Sequence, residues 1–85
     1  MASYNVFIKP AAAKELEHLP DKLRRQVAKR MPALAGNPRP PGCEKMTGDD
    51  LYRIRQGDYR VVYSISDDVL TVLVIQIGHR RDVYR

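Results

Sequence analysis

Three arginines alternate with apolar residues in the stretch LYRIRQGDYRVVY, residues 51–63. Gly57-Asp58 sits between two runs of alternating, β-prone residues, and a glycine at the first central position suits a two-residue type I′ or II′ hairpin turn. Such a turn pairs Gln56 with Tyr59, Arg55 with Arg60, Ile54 with Val61, Arg53 with Val62 and Tyr52 with Tyr63. Cross-strand partners share a face and neighbours along a strand do not. One face therefore carries Tyr52, Ile54, Tyr59, Val61 and Tyr63, and the other carries Arg53, Arg55 and Arg60. Like charges directly opposite one another destabilise a sheet, and no arginine here has an acid at its partner position in the hairpin. Three converging guanidinium groups on rigid strands suit a multiply charged anion, most simply phosphate, which guanidinium binds bidentately. A solvated strand face is the plain alternative.

All six cations after Lys45 are arginines, whereas a solubilising surface mixes lysine and arginine. The tail, GHRRDVYR, adds His79, Arg80, Arg81 and Tyr84. If the strand before it pairs with the second hairpin strand, the tail returns toward Arg55 and Arg60. Such a constellation can cut RNA without a metal. The substrate's own 2′-hydroxyl attacks the adjacent phosphorus, cations stabilise the added charge, and the leaving 5′-oxygen receives a proton. The proton acceptor is the open role: arginine is essentially always protonated, while His79 has a suitable intrinsic pKa. No metal or cofactor is expected. His18 and His79 are far apart in sequence, the acids do not fall at ligand spacings, and there is no phosphate-binding glycine loop or Ser-His-Asp pattern. Cys43 lies in a proline-rich loop with no histidine near it, a poor setting for a nucleophile.

The elements that must position these residues follow from periodicity. YNVFIKP alternates as a strand, ended by Pro10. AAAKELEHL reads as a short helix with Ala12, Leu16 and Leu19 on one side, and His18 at its end suits the helix dipole. Pro20-Asp21 opens a second helix running to about Ala35. Its residues Leu23, Val27, Met31 and Leu34 recur at helical spacing and face the sheet. Pro32 should kink its last turn, and Gly36-Asn37 ends it. Lys22, Arg25 and Lys29 form a basic outer stripe, either a solvated face or an auxiliary nucleic-acid contact. NPRPPGCEKMTGDD is a loop on composition. After the hairpin, residues from about Val69 to Ile77 are apolar on both parities, as in a strand buried on both faces. The expected fold is α+β: a strand, two helices, then antiparallel strands in a small twisted sheet with the helices packed on one face and the arginines on the other.

Eighty-five residues suggest one domain, residues 1–85. The 44% apolar content is too high for a disordered chain. Fifteen basic residues against ten acidic give a net charge of +5, which favours a polyanionic partner such as nucleic acid or an acidic protein. No signal peptide or membrane span is legible, and a single cysteine fits a reducing cytoplasm.

On these residues the sequence resembles a known family. LYRIRQGDYRVVYSISDDVLTVLVIQIGHRRDVYR is similar to the C-terminal half of RelE-type toxins of the RelE/ParE toxin–antitoxin superfamily. YNVFIKPAAAKELEHLP and NPRPPGCEKMTG fit as well, so the resemblance spans the chain. It implies a metal-independent, ribosome-dependent endoribonuclease that cleaves mRNA in the ribosomal A site and is neutralised by a cognate antitoxin in a hetero-oligomer. It also implies roles for Arg53, Arg55, Arg60, Arg80 and Tyr84 at the scissile phosphate. Lys45, His79, Arg81, Lys22, Arg25 and Lys29 are the further expected contacts to mRNA and rRNA. Two departures stand out. Some members carry lysines where this chain has Arg53 and Arg55, and a lysine there is proposed as general base. The segment from Gly78 to Tyr84 is also shorter than in some relatives. Two rival functions remain: a non-catalytic, gyrase-directed toxin like the ParE branch, and a plain RNA-binding module.

Overall fold

The structure is a computed structural model that describes residues 3–46 and 50–79. Along the chain run β1 (Asn5–Ile8), α1 (Pro10–Glu17), α2 (Asp21–Gly36), β2 (Glu44–Lys45), β3 (Leu51–Gln56), β4 (Tyr59–Ser66) and β5 (Thr71–His79). The five strands form one sheet in the order β1-β5-β4-β3-β2. β1 lies parallel to β5, and the other neighbours are antiparallel. The α+β architecture is the one that periodicity indicates, with a mixed sheet.

The hairpin register agrees with the sequence pattern at every pair, including Arg55 opposite Arg60 and Tyr52 opposite Tyr63. Gly57 has φ 61° while Asp58 does not have positive φ, so the turn is type II′, the form that needs glycine at its first position. α1 and α2 cover the other face from the arginines. Ala12, Leu19, Val27 and Leu34 join Tyr52, Ile54, Val61, Tyr63, Ile65, Val72, Val74 and Ile77 in a single cluster. Leu23 and Met31 pack against it, partly buried. Pro32 lies within α2.

Three expectations need correction. The 37–50 stretch is not wholly loop, because Glu44–Lys45 adds a short edge strand to β3. Val69 and Leu70 do not begin the last strand. They belong to the turn before it, with Val69 67% exposed and Leu70 in the left-handed region at φ 48°. An apolar pair reads as strand by composition, but the chain must reverse there. The third correction is a bulge. Val62 pairs with Gln76 while Tyr63 pairs with Val74, so Ile75 is the extra residue on β5. The bulge switches the core-facing parity of β5 from Val72 and Val74 to Ile77, all fully buried. It accounts for a strand that is apolar on both parities.

An arginine face with an internal acid

Cross-strand pairing places Arg53, Arg55 and Arg60 on the side of the sheet away from both helices. The bulge brings Gln76 and Gly78 to the same side, with Gly78 directly opposite Arg60. A glycine there puts no side chain against the guanidinium. β2 supplies the missing counterion: Glu44 is the cross-strand partner of Arg53 on its other flank. Its carboxylate accepts from Arg53 Nε at 3.1 Å and sits 3.7 Å from Arg55 Nε. The hydrogen bond from Arg53 holds the Glu44 carboxyl below the usual carboxylate range, helped by the charges of Arg53, Arg55 and Arg60. Within the hairpin no arginine faces an acid, as the pattern indicates, but the strand outside it supplies one that the sequence reading missed. That reading counted the hairpin alone, and a two-residue strand in a proline-glycine stretch has no period to reveal the acid. Among the described residues, one carboxylate faces three guanidinium groups.

The backbone of the cluster is fixed from behind. Arg30 of α2 donates to the Arg55 carbonyl and lies 3.4 Å from Gln56 Oε1, and Gln56 also reaches Gln26. The hairpin end is thus tied to α2 on its core side, while Arg55 stands 59% exposed on the other.

Other expected site residues lie elsewhere. His79 pairs with Tyr59 and meets its ring edge-on, centroids 5.5 Å apart. It therefore lies on the helix side of the sheet, beside a cavity of about 710 Å³ bordered by Lys14 and Glu15 of α1 and by His18, which caps it. Without the bulge, odd-numbered residues at the end of β5 would share the face of Arg60; the extra residue turns His79 away. Lys45 pairs with Tyr52 and so points to the side opposite the arginines. Lys22, Arg25 and Lys29 are exposed together on the outer side of α2, also away from the cluster. Arg80, Arg81 and Tyr84 lie outside the described residues.

The arginine face is not uniformly polar. Across it from the cluster runs a row of Phe7, Leu73, Ser64 and Leu51, set by successive strand pairings. Phe7 on edge strand β1 is 56% exposed. A basic half and an apolar half thus share one surface that no described helix covers.

A second arginine–acid group stands at the opposite end of the hairpin strands. Arg39 bonds Asp67 (Nη2–Oδ2 3.0 Å), sits 3.3 Å from the Tyr52 hydroxyl, and lies over the Tyr52 ring at 5.1 Å. Tyr4 donates to Asp67 at 2.6 Å. The hydrogen bonds from Arg39 and Tyr4 hold the Asp67 carboxyl below its ordinary range. Beneath them the buried Tyr63 hydroxyl donates to the Pro38 carbonyl at 2.8 Å and lies 3.2 Å from Cys43 Sγ. Burial, first, and Cys43 push its hydroxyl pKa up, so it stays protonated as a donor. The group straps the 37–43 segment to the sheet.

Comparison with known proteins bears on the family and the fold. Residues 6–84 match the family described as ParE toxin of type II toxin-antitoxin system, parDE. The chain is 36% identical over 84 residues to toxin RelE of Mycobacterium tuberculosis, covering 96% of this chain and 87% of that protein. Among solved structures it is similar to the archaeal RelE–RelB complex of Pyrococcus horikoshii (TM-score 0.80, 31% identity, 95% of this chain and 99% of that one). It is also similar to the intact RelBE toxin–antitoxin complex of E. coli (TM-score 0.77, 28% identity, 92% of this chain and 96% of that one).

Proposed function

The chain belongs to the RelE/ParE superfamily of type II toxin–antitoxin toxins, and from that premise we propose that it is a ribosome-dependent endoribonuclease that cuts mRNA in the A site. The observation that carries this is the direct pairing of Arg55 with Arg60 on the face that no described helix covers, with Arg53 beside them. Such a pair is costly in the free protein, and a phosphodiester backbone removes the cost. The transition state of 2′-hydroxyl attack carries more negative charge than the ground state, so the same arginines bind it more tightly and lower the barrier. Arg80 and Tyr84 are assigned to the same site, Arg80 as a further cation on the phosphate and Tyr84 as a stacking platform for the neighbouring base. Lys22, Arg25 and Lys29, away from the chemistry, suit rRNA backbone contact, which needs charge but no fine geometry.

The described arginine face suits a phosphate, but three guanidinium groups on a strand face do not by themselves align a flexible strand. Orientation can account for a large part of a rate enhancement, and the ribosome is the body that supplies it by holding the codon in the A site. A cognate antitoxin completes the scheme. Two of the similar solved structures are complexes of RelE with RelB. The surface that pairs Arg53, Arg55 and Arg60 with Phe7, Leu73 and Leu51 suits an amphipathic segment with acidic residues along one edge.

The ParE description of the matched family favours a second reading, a gyrase-directed toxin that binds without cleaving. Induced expression followed by primer-extension mapping of cellular mRNA separates the two. Cleavage within codons of translated messages is expected. Intact messages accompanied by a DNA-damage response would replace the ribonuclease reading with the gyrase one.

A further inference from the structure

The ribonuclease reading lacks a proton acceptor, and the structure offers one that the sequence pattern does not reveal. We propose that Glu44 is the general base that takes the proton from the attacking 2′-hydroxyl; this rests on the ribonuclease reading above and deepens it. Three observations converge. Among the described residues of the arginine face, Glu44 is the one ionisable side chain that can accept a proton at neutral pH; the others are guanidinium groups. His79, the other candidate by intrinsic pKa, is turned to the helix side by the bulge. And Glu44 touches both arginines through their Nε atoms, at 3.1 Å to Arg53 and 3.7 Å to Arg55. A phosphate held by the outer Nη groups of these forks therefore lies one guanidinium width from the carboxylate, with the adjacent ribose within reach.

The groups that face Glu44 explain how a paired carboxylate becomes a base. Arg53 and Arg55 of β3 contact it, and the charge of Arg60 on β4 reaches it. In the free toxin they favour its ionised form. When the scissile phosphate binds, its negative charge offsets those of the arginines and stands beside the carboxylate, both of which raise proton affinity. Substrate binding thus switches the base on. The 2′-hydroxyl proton passes to a Glu44 Oε as the 2′-oxygen bonds phosphorus. The P–O5′ bond breaks, the leaving oxygen takes a proton from solvent, and a 2′,3′-cyclic phosphate and a 5′-hydroxyl remain. Glu44 then returns its proton to water.

Single-turnover cleavage of a defined message on programmed ribosomes, across pH 6–8.5 by one protocol, tests this with wild type, Glu44→Gln and Glu44→Ala. Glutamine keeps an oxygen that can accept from Arg53 but cannot hold the proton. Loss of a general base costs about 10²–10⁴-fold. Both variants are expected to slow by that factor while still co-sedimenting with ribosomes. Their residual rate should climb roughly tenfold per pH unit as hydroxide replaces the carboxylate, unlike the shallower wild-type profile. A Glu44→Gln rate within about threefold of wild type, or a variant profile parallel to wild type, overturns the proposal and leaves Glu44 as a group that only positions arginines. A wild type that fails to cleave on ribosomes removes the ribonuclease reading itself, a separate outcome.

Discussion

The two arginine–acid groups at opposite ends of the β3–β4 hairpin use the same chemistry for different ends. At Asp67 the accounts balance: one arginine meets one carboxylate, and two tyrosine hydroxyls and an aromatic face complete the group. It joins Tyr4 just before β1, the 37–43 segment, β3 and the β4–β5 turn, and its job is to hold them together. At Glu44 one carboxylate faces three guanidinium groups among the described residues. Among the described residues, a cluster with more guanidinium groups than carboxylates suits an anion, and a one-to-one group makes a strap. Counting salt bridges would not separate them; comparing the described cations with the described acids in each does.

The largest expected effect lies on the unbalanced side. Arg60→Ala and Arg80→Ala are expected to lower cleavage on ribosomes by at least about a hundredfold, the scale on which one transition-state donor acts, with melting temperature unchanged or raised by relief of like-charge repulsion. Arg39→Ala is the mirror experiment. It should lower the melting temperature while the folded fraction cleaves at the wild-type rate. If activity after Arg60→Ala merely followed a falling melting temperature, the contrast between the two groups would collapse.

Next in size is Tyr84, which the described residues do not include. Base–aromatic stacking is worth roughly 1–3 kcal/mol, so Tyr84→Ala should slow cleavage about tenfold to a hundredfold, and Tyr84→Phe should stay near wild type. Single-turnover rates for both variants decide between a stacking ring and a donating hydroxyl; a Phe variant as slow as the Ala variant would favour the hydroxyl. Smaller still is the strap's buried bond. Tyr63→Phe removes the donor to the Pro38 carbonyl at a cost of about 1 kcal/mol, a fall of about 4–8 °C in a domain of this size, and should spare the cleavage rate. An unchanged melting temperature would show that the hydroxyl does not hold the 37–43 segment.

The smallest effect is on acid stability. Asp67 and Glu44 both have folded pKa values held below their ordinary values of 3.8 and 4.5. A depressed carboxylate contributes stability above its unfolded pKa and loses it as pH falls through the folded one. Both groups are exposed to solvent, so the contribution is screened and modest. Thermal melts should be flat from neutrality to about pH 5 and fall below about pH 4. In Asp67→Asn the acid-side fall should be shallower. An Asn variant with a fall as steep as wild type would assign the acid sensitivity to other carboxylates.

Much of this was legible in the sequence. The Gly57-Asp58 turn set the hairpin register residue by residue, and through it the Arg55/Arg60 pair. The spacing of Leu23, Val27, Met31 and Leu34 identified the buried side of α2. What escaped was local and aperiodic. β2 is two residues long and gains its extended form from pairing with β3, so Glu44 could not be placed from its own neighbours. The bulge at Ile75 adds no residue type that announces it, yet it decides which side His79 faces. Val69 and Leu70 are apolar residues in a turn, where the need to reverse the chain outweighs propensity.

The most direct test of the arginine face as an RNA-cutting site is single-turnover cleavage of one defined message, free and on translating ribosomes, by wild type and Arg60→Ala side by side. Rapid wild-type cleavage on ribosomes, negligible cleavage of the free message, and loss of the ribosomal reaction in a folded Arg60→Ala variant are expected. Equal wild-type rates on free and ribosome-bound message, or an Arg60→Ala variant that cuts as fast as wild type, would contradict it.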